Sequence, residues 1–215
     1  MKKGLFITFE GGEACGKSTQ VQLFKQYVQT RKDKDNFVFI REPGGTVLGE
    51  KIRELVLNFT QDSPTDKAEL LLFLASRAQL YAKVIKPALD EGKVVVADRF
   101  YDSTVAYQGF ARQIMPAEEI LALNKMILNS LKPDLTFYLE IKPEIAFKRK
   151  GKTALDRMEK EPLQFHQRVY EGYHFMAKKE KERFAVIDAT KSIDEIHNQI
   201  KQRTCKLIEE FYKQN

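Results

Sequence analysis

The chain has 215 residues, and its 36 Lys and Arg against 30 Asp and Glu leave a formal charge of +6. A hydrophobic fraction of 43% with 15 Phe and 8 Tyr supplies a full apolar core and excludes a disordered chain, while 11 Gly and 7 Pro exclude a collagenous or low-complexity sequence. No apolar run approaches the roughly 20 residues of a membrane span, and the first run, Leu5 to Phe9, is too short for a secretory signal and meets an acid at Glu10.

Strand-like apolar runs alternate with helical periodicity from end to end, the pattern of an α/β fold on a parallel sheet. The first strand is expected at Leu5 to Glu10. It leads directly into Gly11-Gly12-Glu13-Ala14-Cys15-Gly16-Lys17-Ser18, which fits the phosphate-loop pattern G-x-x-x-x-G-K-[ST]. Glycines there let backbone N–H groups close around phosphate oxygens, and a helix over Lys17 to Thr30 points its positive dipole end at them. The candidate ATP-binding residues are therefore Gly11, Gly12, Glu13, Ala14, Cys15, Gly16, Lys17, Ser18 and Thr19. Among them Lys17 reaches for the β and γ phosphates, and Ser18 is a ligand for Mg²⁺.

Further strands are expected at Phe37 to Arg41, Lys93 to Asp98, Leu135 to Ile141 and Arg183 to Asp188, with helical stretches at Ala68 to Leu89 and Ala117 to Leu131. The run Val94-Val95-Val96-Ala97 ends in Asp98, and in P-loop proteins an acid at that strand end holds the Mg²⁺ shell, so Asp98 is the second candidate metal residue. Arg99 is aimed at the same crevice. In the last helix Ile193, Ile196, Ile200, Leu207 and Phe211 recur on one face and are expected in the core. No repeat, linker or composition break divides the chain, so one domain over residues 1–215 is expected.

A GTPase needs Asn-Lys-x-Asp to read guanine, and Asn124-Lys125-Met126-Ile127 lacks the acid. Cations outside the loop, Arg41, Arg53, Arg77 and Arg99, favour a kinase, which must hold the phosphates of two substrates together. The segment Lys148 to Arg157 carries five cations and one acid, so it holds +4 of the total and is expected to be exposed. A nucleic-acid-stimulated ATPase predicts a basic stripe with exposed aromatics, whereas Lys178-Lys179-Glu180-Lys181-Glu182-Arg183 mixes signs. Cys15 and Cys205 have no metal-ligand spacing, which points to a reducing, cytoplasmic setting. Cys15 is expected to make the loop sensitive to thiol reagents.

Phe9-Glu10-Gly11-Gly12-Glu13, Arg41-Glu42-Pro43-Gly44-Gly45-Thr46, Leu72-Phe73-Leu74-Ala75-Ser76-Arg77 and the run Asp98-Arg99-Phe100-Tyr101-Asp102-Ser103-Thr104-Val105-Ala106-Tyr107-Gln108-Gly109 resemble the thymidylate kinase family. Pro133-Asp134-Leu135-Thr136-Phe137-Tyr138-Leu139 and Asp156-Arg157-Met158-Glu159 continue the match in family order. The resemblance implies a P-loop nucleoside-monophosphate-kinase-like α/β fold, a five-stranded parallel sheet flanked by helices, with a short lid at about 148–160. It implies transfer of phosphate from ATP with Mg²⁺ to dTMP, a cytoplasmic homodimer, and no nucleic-acid or membrane partner. A related nucleoside or nucleoside-monophosphate kinase is the nearest alternative, and a substrate panel separates the two.

By the same resemblance Phe73 stacks on thymine and Arg77 bonds the base edge. Arg53 and Arg99 grip the dTMP phosphate, and Glu13 serves the sugar 3′-hydroxyl. Glu42, Thr104, Tyr107 and Gln108 line the nucleoside pocket. A phosphate monoester has a second pKa of about 6 and needs no strong general base, which agrees with the placing of His166, His174 and His197 in late helical segments away from every motif. Ala14 stands where one branch of the family has a catalytic arginine, so that cation is expected from the lid. Arg149 and Arg157 are the candidates, and Arg157 is the more specific match.

Overall fold

A computed structural model describes residues 4–58, 62–149 and 157–214. Of the expected lid, residues 150–156 lie outside the described residues. The elements follow the order β1 (Leu5–Glu10), α1 (Lys17–Gln29), β2 (Phe37–Arg41), α2 (Val47–Leu57), α3 (Asp66–Leu80), α4 (Lys86–Asp90) and β3 (Val94–Asp98). They continue through α5 (Tyr101–Thr104), α6 (Ala117–Ile127), β4 (Leu135–Glu140), α7 (Pro143–Arg149), α8 (Leu163–Lys179), β5 (Phe184–Asp188) and α9 (Ile193–Gln214). Wider π-helical turns join α3 to α4 at Tyr81–Ile85 and extend α5 through Val105–Ala111.

The strands form one parallel sheet in the order β2-β3-β1-β4-β5. Each expected strand is present with ends shifted by a residue at most. The expected helix Ala68 to Leu89 instead starts at Asp66, leaves α-helical pitch after Leu80 and resumes at Lys86, and α6 stops at Ile127 rather than Leu131.

Side-chain alternation along β1 explains the two-sided core. Leu5, Ile7 and Phe9 face one layer with Phe24 and Val28 of α1 and Ile196, Ile200 and Ile208 of α9. Phe6 faces the other with Val95, Ala97, Leu80, Phe100 and Met176. Each such side chain, removed from water, contributes about 1.5–3 kcal/mol. In α1 the buried positions Lys17, Gln20, Phe24 and Val28 recur every three or four residues, the spacing of one helix face. In α9 the same spacing holds except at the start. Ile193, expected in the core, is 55% exposed because it is the first helical residue, ahead of the packed turns, and Ile208 at 4% takes a buried place instead.

The second layer is drawn tight where α8 crosses the Val105–Ala111 turn. A Cβ on Gly172 would sit 2.6 Å from the Ala106 Cα, so only glycine permits this approach. The same contact brings Tyr173 under the site. Arg183, buried just before β5, donates to both Asp102 carboxylate oxygens at 2.9 and 2.7 Å and to Thr136 Oγ1 at 2.6 Å, tying the edge strand to α5.

Candidate active site

The phosphate loop leaves β1 at the centre of the sheet, and Asp98 and Arg99 leave β3 beside it. Both therefore open at the carboxyl ends of neighbouring strands, where α/β sheets bind ligands. Gly16 has φ of +88°, a conformation that favours glycine, and Cβ atoms built on Gly12 or Gly16 would meet nothing within 4 Å. The loop is thus an open backbone cradle at the start of α1. A cavity of about 370 Å³ lies over it, lined by Gly12 through Thr19, Arg99, Arg149 and Glu159. Gly11 is outside that lining, and its carbonyl accepts from Arg99 Nη1 at 2.8 Å.

A second cavity, about 450 Å³, adjoins the first and shares Glu13, Lys17, Ser18, Arg99 and Glu159 with it. Its wall includes Glu42, Arg53, Phe73 and Arg77, and also Thr104, Tyr107 and Gln108, so every residue that the sequence suggested for the acceptor lines one volume. The π-helical turn explains part of this, since it widens the helix that presents Tyr107 and Gln108. Arg53 Nη1 donates to the Pro43 carbonyl at 3.0 Å, which holds α2 against the cavity rim.

Lys17 Nζ pairs with Asp98, and Ser18 lies within the same two cavities. Burial works to raise the Asp98 carboxyl, but the Lys17 ammonium overrides it and holds the group below its ordinary range. A hydroxyl and a carboxylate beside an open phosphate cradle are a hard-oxygen set that fits Mg²⁺ held jointly with a nucleotide's phosphates. Among the described residues no group of three acidic or His and Cys side chains could hold a metal by itself.

Arg99 sits at φ of +70°, a left-handed conformation that costs a non-glycine residue on the order of 1 kcal/mol. Its backbone N–H is fixed by the Phe9 carbonyl at 3.0 Å. Its guanidinium donates to Glu13 Oε1 at 2.8 Å, Ser103 Oγ at 3.2 Å and the Tyr173 hydroxyl at 3.0 Å. Tyr107 also donates to Glu13, at 2.5 Å. Burial pushes Glu13 up, yet Arg99 and the Tyr107 hydroxyl outweigh it and keep the carboxyl below the usual range.

Arg77 is 1% exposed and uses four of its five N–H donors within the protein. Nε and Nη2 donate to Glu42 Oε2 at 2.8 and 2.6 Å, and Nη1 donates to Thr104 Oγ1 and Asn124 Oδ1, each at 2.8 Å.

Several residues of this centre carry no sequence motif of their own. Glu10, fully buried, accepts from the Phe100 N–H at 2.8 Å, Ser103 Oγ at 2.6 Å and the Tyr173 hydroxyl at 2.9 Å. Glu10 and Ser103 lie inside the runs quoted above and were open to notice, whereas Tyr173 is one of several apolar-face residues of α8. Burial, reinforced by Asp102, raises the Glu10 carboxyl to about 7 against the pull of Arg99. Between 4.5 and about 7 the folded chain therefore keeps a proton that the unfolded chain releases, so this group makes stability decline as pH rises through that window. Denaturant unfolding at pH 5 and pH 8 is expected to show a shallower decline for Glu10→Gln than for the wild type; equal slopes would refute the assignment.

The two lid candidates go to different places. Arg149, in the last turn of α7, lines the loop cavity and donates to the Ala189 and Thr190 carbonyls at 2.7 and 3.1 Å. Arg157 lines neither cavity; it pairs with buried Glu69 and donates from Nε to the Val56 carbonyl at 2.9 Å. Cys15 is 3% exposed, and burial raises its thiol, which disfavours the reactive thiolate. The expected reagent sensitivity therefore finds no exposed thiol in the loop. His166, expected away from every motif, is buried in α8 but lines a small cavity with Gly12 and Glu13 of the loop, because packing brings α8 against the loop's back, while His174 faces Glu140 at 2.5 Å.

A central parallel sheet with a phosphate loop after β1, an acid ending β3 and two cavities meeting at Lys17 and Arg99 defines a P-loop kinase of the nucleoside-monophosphate type. The thymidylate kinase family model matches residues 9–200. Thymidylate kinase of Fervidobacterium nodosum is 47% identical over 196 residues, 91% of this chain and 96% of that protein. The enzyme of Caldanaerobacter subterraneus subsp. tengcongensis is 40% identical over 211 residues, 98% of each chain. The crystal structure of thymidylate kinase from Ehrlichia chaffeensis superposes with a TM-score of 0.75 at 33% identity, covering 94% of this chain and 98% of that one. The chain belongs to the thymidylate kinase family.

Proposed function

We propose that the protein transfers the terminal phosphoryl group of ATP to dTMP, giving dTDP for dTTP synthesis. The observation that carries this is the meeting of two cavities at Lys17, Ser18, Arg99, Glu13 and Glu159, one built on a phosphate loop and the other walled by Phe73, Arg77 and Gln108. In this reading ATP lies over the loop, and Ser18 and Asp98 would hold Mg²⁺, which would supply positive charge against the donor phosphates. Phe73 stacks on thymine, Arg77, Thr104 and Gln108 face its polar edge, and Arg53 and Arg99 fork onto the acceptor phosphate. Glu13, with Tyr107 and Glu42 nearby, serves the sugar. The acceptor monoester is already mostly ionised near pH 7, so the residues align two anions for in-line displacement and need not remove a proton.

The kinase domain spans residues 1–215 in this reading, with the lid at about 148–160, and the enzyme works in the cytoplasm without a nucleic-acid or membrane partner. No helix of the described residues is long and apolar enough to cross a membrane. A homodimer is part of the same proposal; Leu71 of α3 and Met126 of α6, 63% and 68% exposed, are apolar side chains on helices that touch, suited to a subunit contact.

Supplying ATP, Mg²⁺ and a panel of dTMP, dUMP, dCMP, dGMP and thymidine tests the function. dTDP from dTMP is the expected product, and preference for thymidine over dTMP overturns the proposal. For the lid, Arg149→Ala is expected to lower kcat by about 10²-fold with little change in dTMP KM, because Arg149 lies at the phosphate cradle. Arg157→Ala is expected to raise KM more than it lowers kcat, because its contacts are to Glu69 and α2. The reverse pattern would assign the transition-state cation to Arg157.

A further inference from the structure

Gln108 lines the acceptor cavity, is 1% exposed, and its Nε2 donates to Glu69 Oε1 at 2.7 Å. Glu69 is itself fully buried in α3 and does not line the cavity. It also takes Arg112, with Nε and Nη2 each at 3.4 Å, and the Arg157 guanidinium. A carboxylate in two arginine ion pairs offers lone pairs and no proton, so it can face only the NH₂ end of an amide. The opposite end of Gln108, its carbonyl oxygen, takes no hydrogen bond among the described residues.

The neighbouring polar groups have the other sign. A guanidinium has five N–H donors. Arg77 directs Nε and Nη2 at Glu42 and Nη1 at Thr104 and Asn124, which leaves one N–H on Nη2. Thr104 accepts from Arg77, and its own hydroxyl proton is left to donate. The cavity therefore presents an acceptor on Gln108 near donors on Arg77 and Thr104.

We infer that Glu69 is a positioning residue for base specificity: by holding the Gln108 amide in one orientation, it makes the cavity complementary to a pyrimidine imide edge and opposed to an aminopyrimidine edge. This rests on the reading that the cavity takes the base of a nucleoside monophosphate. Thymine and uracil offer a ring N–H beside a carbonyl oxygen, and they meet acceptor with donor and donor with acceptor. Cytosine offers a bare ring nitrogen beside an amino group, so it sets lone pair against lone pair and N–H against N–H. Buried polar groups left unmatched in this way are a strong source of discrimination.

The test is the ratio of kcat/KM for dTMP to that for dCMP, with dUMP as an internal control, in the intact enzyme. In Glu69→Gln the new amide can donate or accept, so Gln108 is free to turn over. The dTMP to dCMP ratio is expected to fall at least about tenfold, while the dTMP to dUMP ratio stays within about twofold because both bases share the imide edge. A purely structural role for Glu69 would lower all three substrates together, and that result overturns the inference. Glu69→Gln also disturbs the Arg112 and Arg157 pairs, so Gln108→Met, which leaves those pairs in place, is the second variant. It is expected to lose the same discrimination, and adding Glu69→Gln to it is expected to change the ratio no further. An unchanged ratio in Gln108→Met overturns the inference while dTMP turnover by the wild type keeps the proposed function standing. Failure of the wild type to phosphorylate dTMP overturns both.

Discussion

Lys17→Met is expected to lower phosphoryl transfer about 10³-fold or more while leaving the fold in place. Among the described residues Lys17 is the one ammonium that lines both cavities, and it emerges from the cradle at the first residue of α1. Removing a preorganised cation from a site of developing charge costs about 10² to 10³ in kcat, and on the proposed function donor and acceptor phosphates both lose it. Methionine keeps an unbranched apolar stem of nearly the same length, so α1 keeps its packing. The Asp98 carboxyl loses the charge that holds it down, and Asp98 is about a fifth exposed, so water relieves part of that loss. Kinetics and thermal unfolding on the same preparation check both statements. Retained turnover with an unchanged melting temperature would remove Lys17 from the mechanism.

Arg77→Met is expected to have the largest effect on stability, a loss of about 3–5 kcal/mol, because it strands a buried charge. Glu42 Oε2, Thr104 Oγ1 and Asn124 Oδ1 all accept from this one guanidinium, and Glu42 Oε1 is already buried without a partner among the described residues. Burial raises the Glu42 carboxyl even with Arg77 in place. Without Arg77 that group takes up a proton more readily, so the deficit is expected to be large at pH 8 and to shrink towards pH 5. Arg77→Lys is expected to rescue little, since an ammonium cannot reproduce a planar fork reaching acceptors on α5, α6 and the loop after β2. Denaturant titrations at the two pH values, with equilibrium binding of dTMP at the higher one, check the prediction. A loss below about 1 kcal/mol would show that the three acceptors find other partners.

What was legible in the sequence depended on how local each signal was. Asp98 could be placed because it ends an apolar run, and Lys17 and Ser18 because a G-x-x-x-x-G-K-[ST] loop between a strand and a helix leaves little choice about where they go. Strand order was not legible, since alternation along Leu5 to Phe9 says which side a residue faces and nothing about whether β3 or β2 lies next to β1. Phe73 and Gln108 came from resemblance, because an apolar helix and a polar residue before a glycine have no signature of a base site. The widened turn at Val105–Ala111 had no signal at all. Arg157 shows the remaining limit: a motif identifies a cation, but it does not say which carboxylate that cation finds, and this one lies against Glu69. Tyr173 and Glu69 were missed for a related reason. Their partners are 163 and 88 positions away in the chain, at Glu10 and Arg157, and only packing brings them together.

The Lys17–Asp98 pair has a consequence for which guests the loop admits. The cation that should attract phosphate is already matched by its own counter-ion. A bare phosphate that takes Lys17 leaves Asp98 stranded, so the gain on one side is offset on the other. A nucleotide that arrives with its divalent ion supplies both replacements at once, an anion for the lysine and a cation for the aspartate. On the proposed function, the resting site is thereby biased towards the metal-bound donor and against free phosphate and metal-free nucleotides.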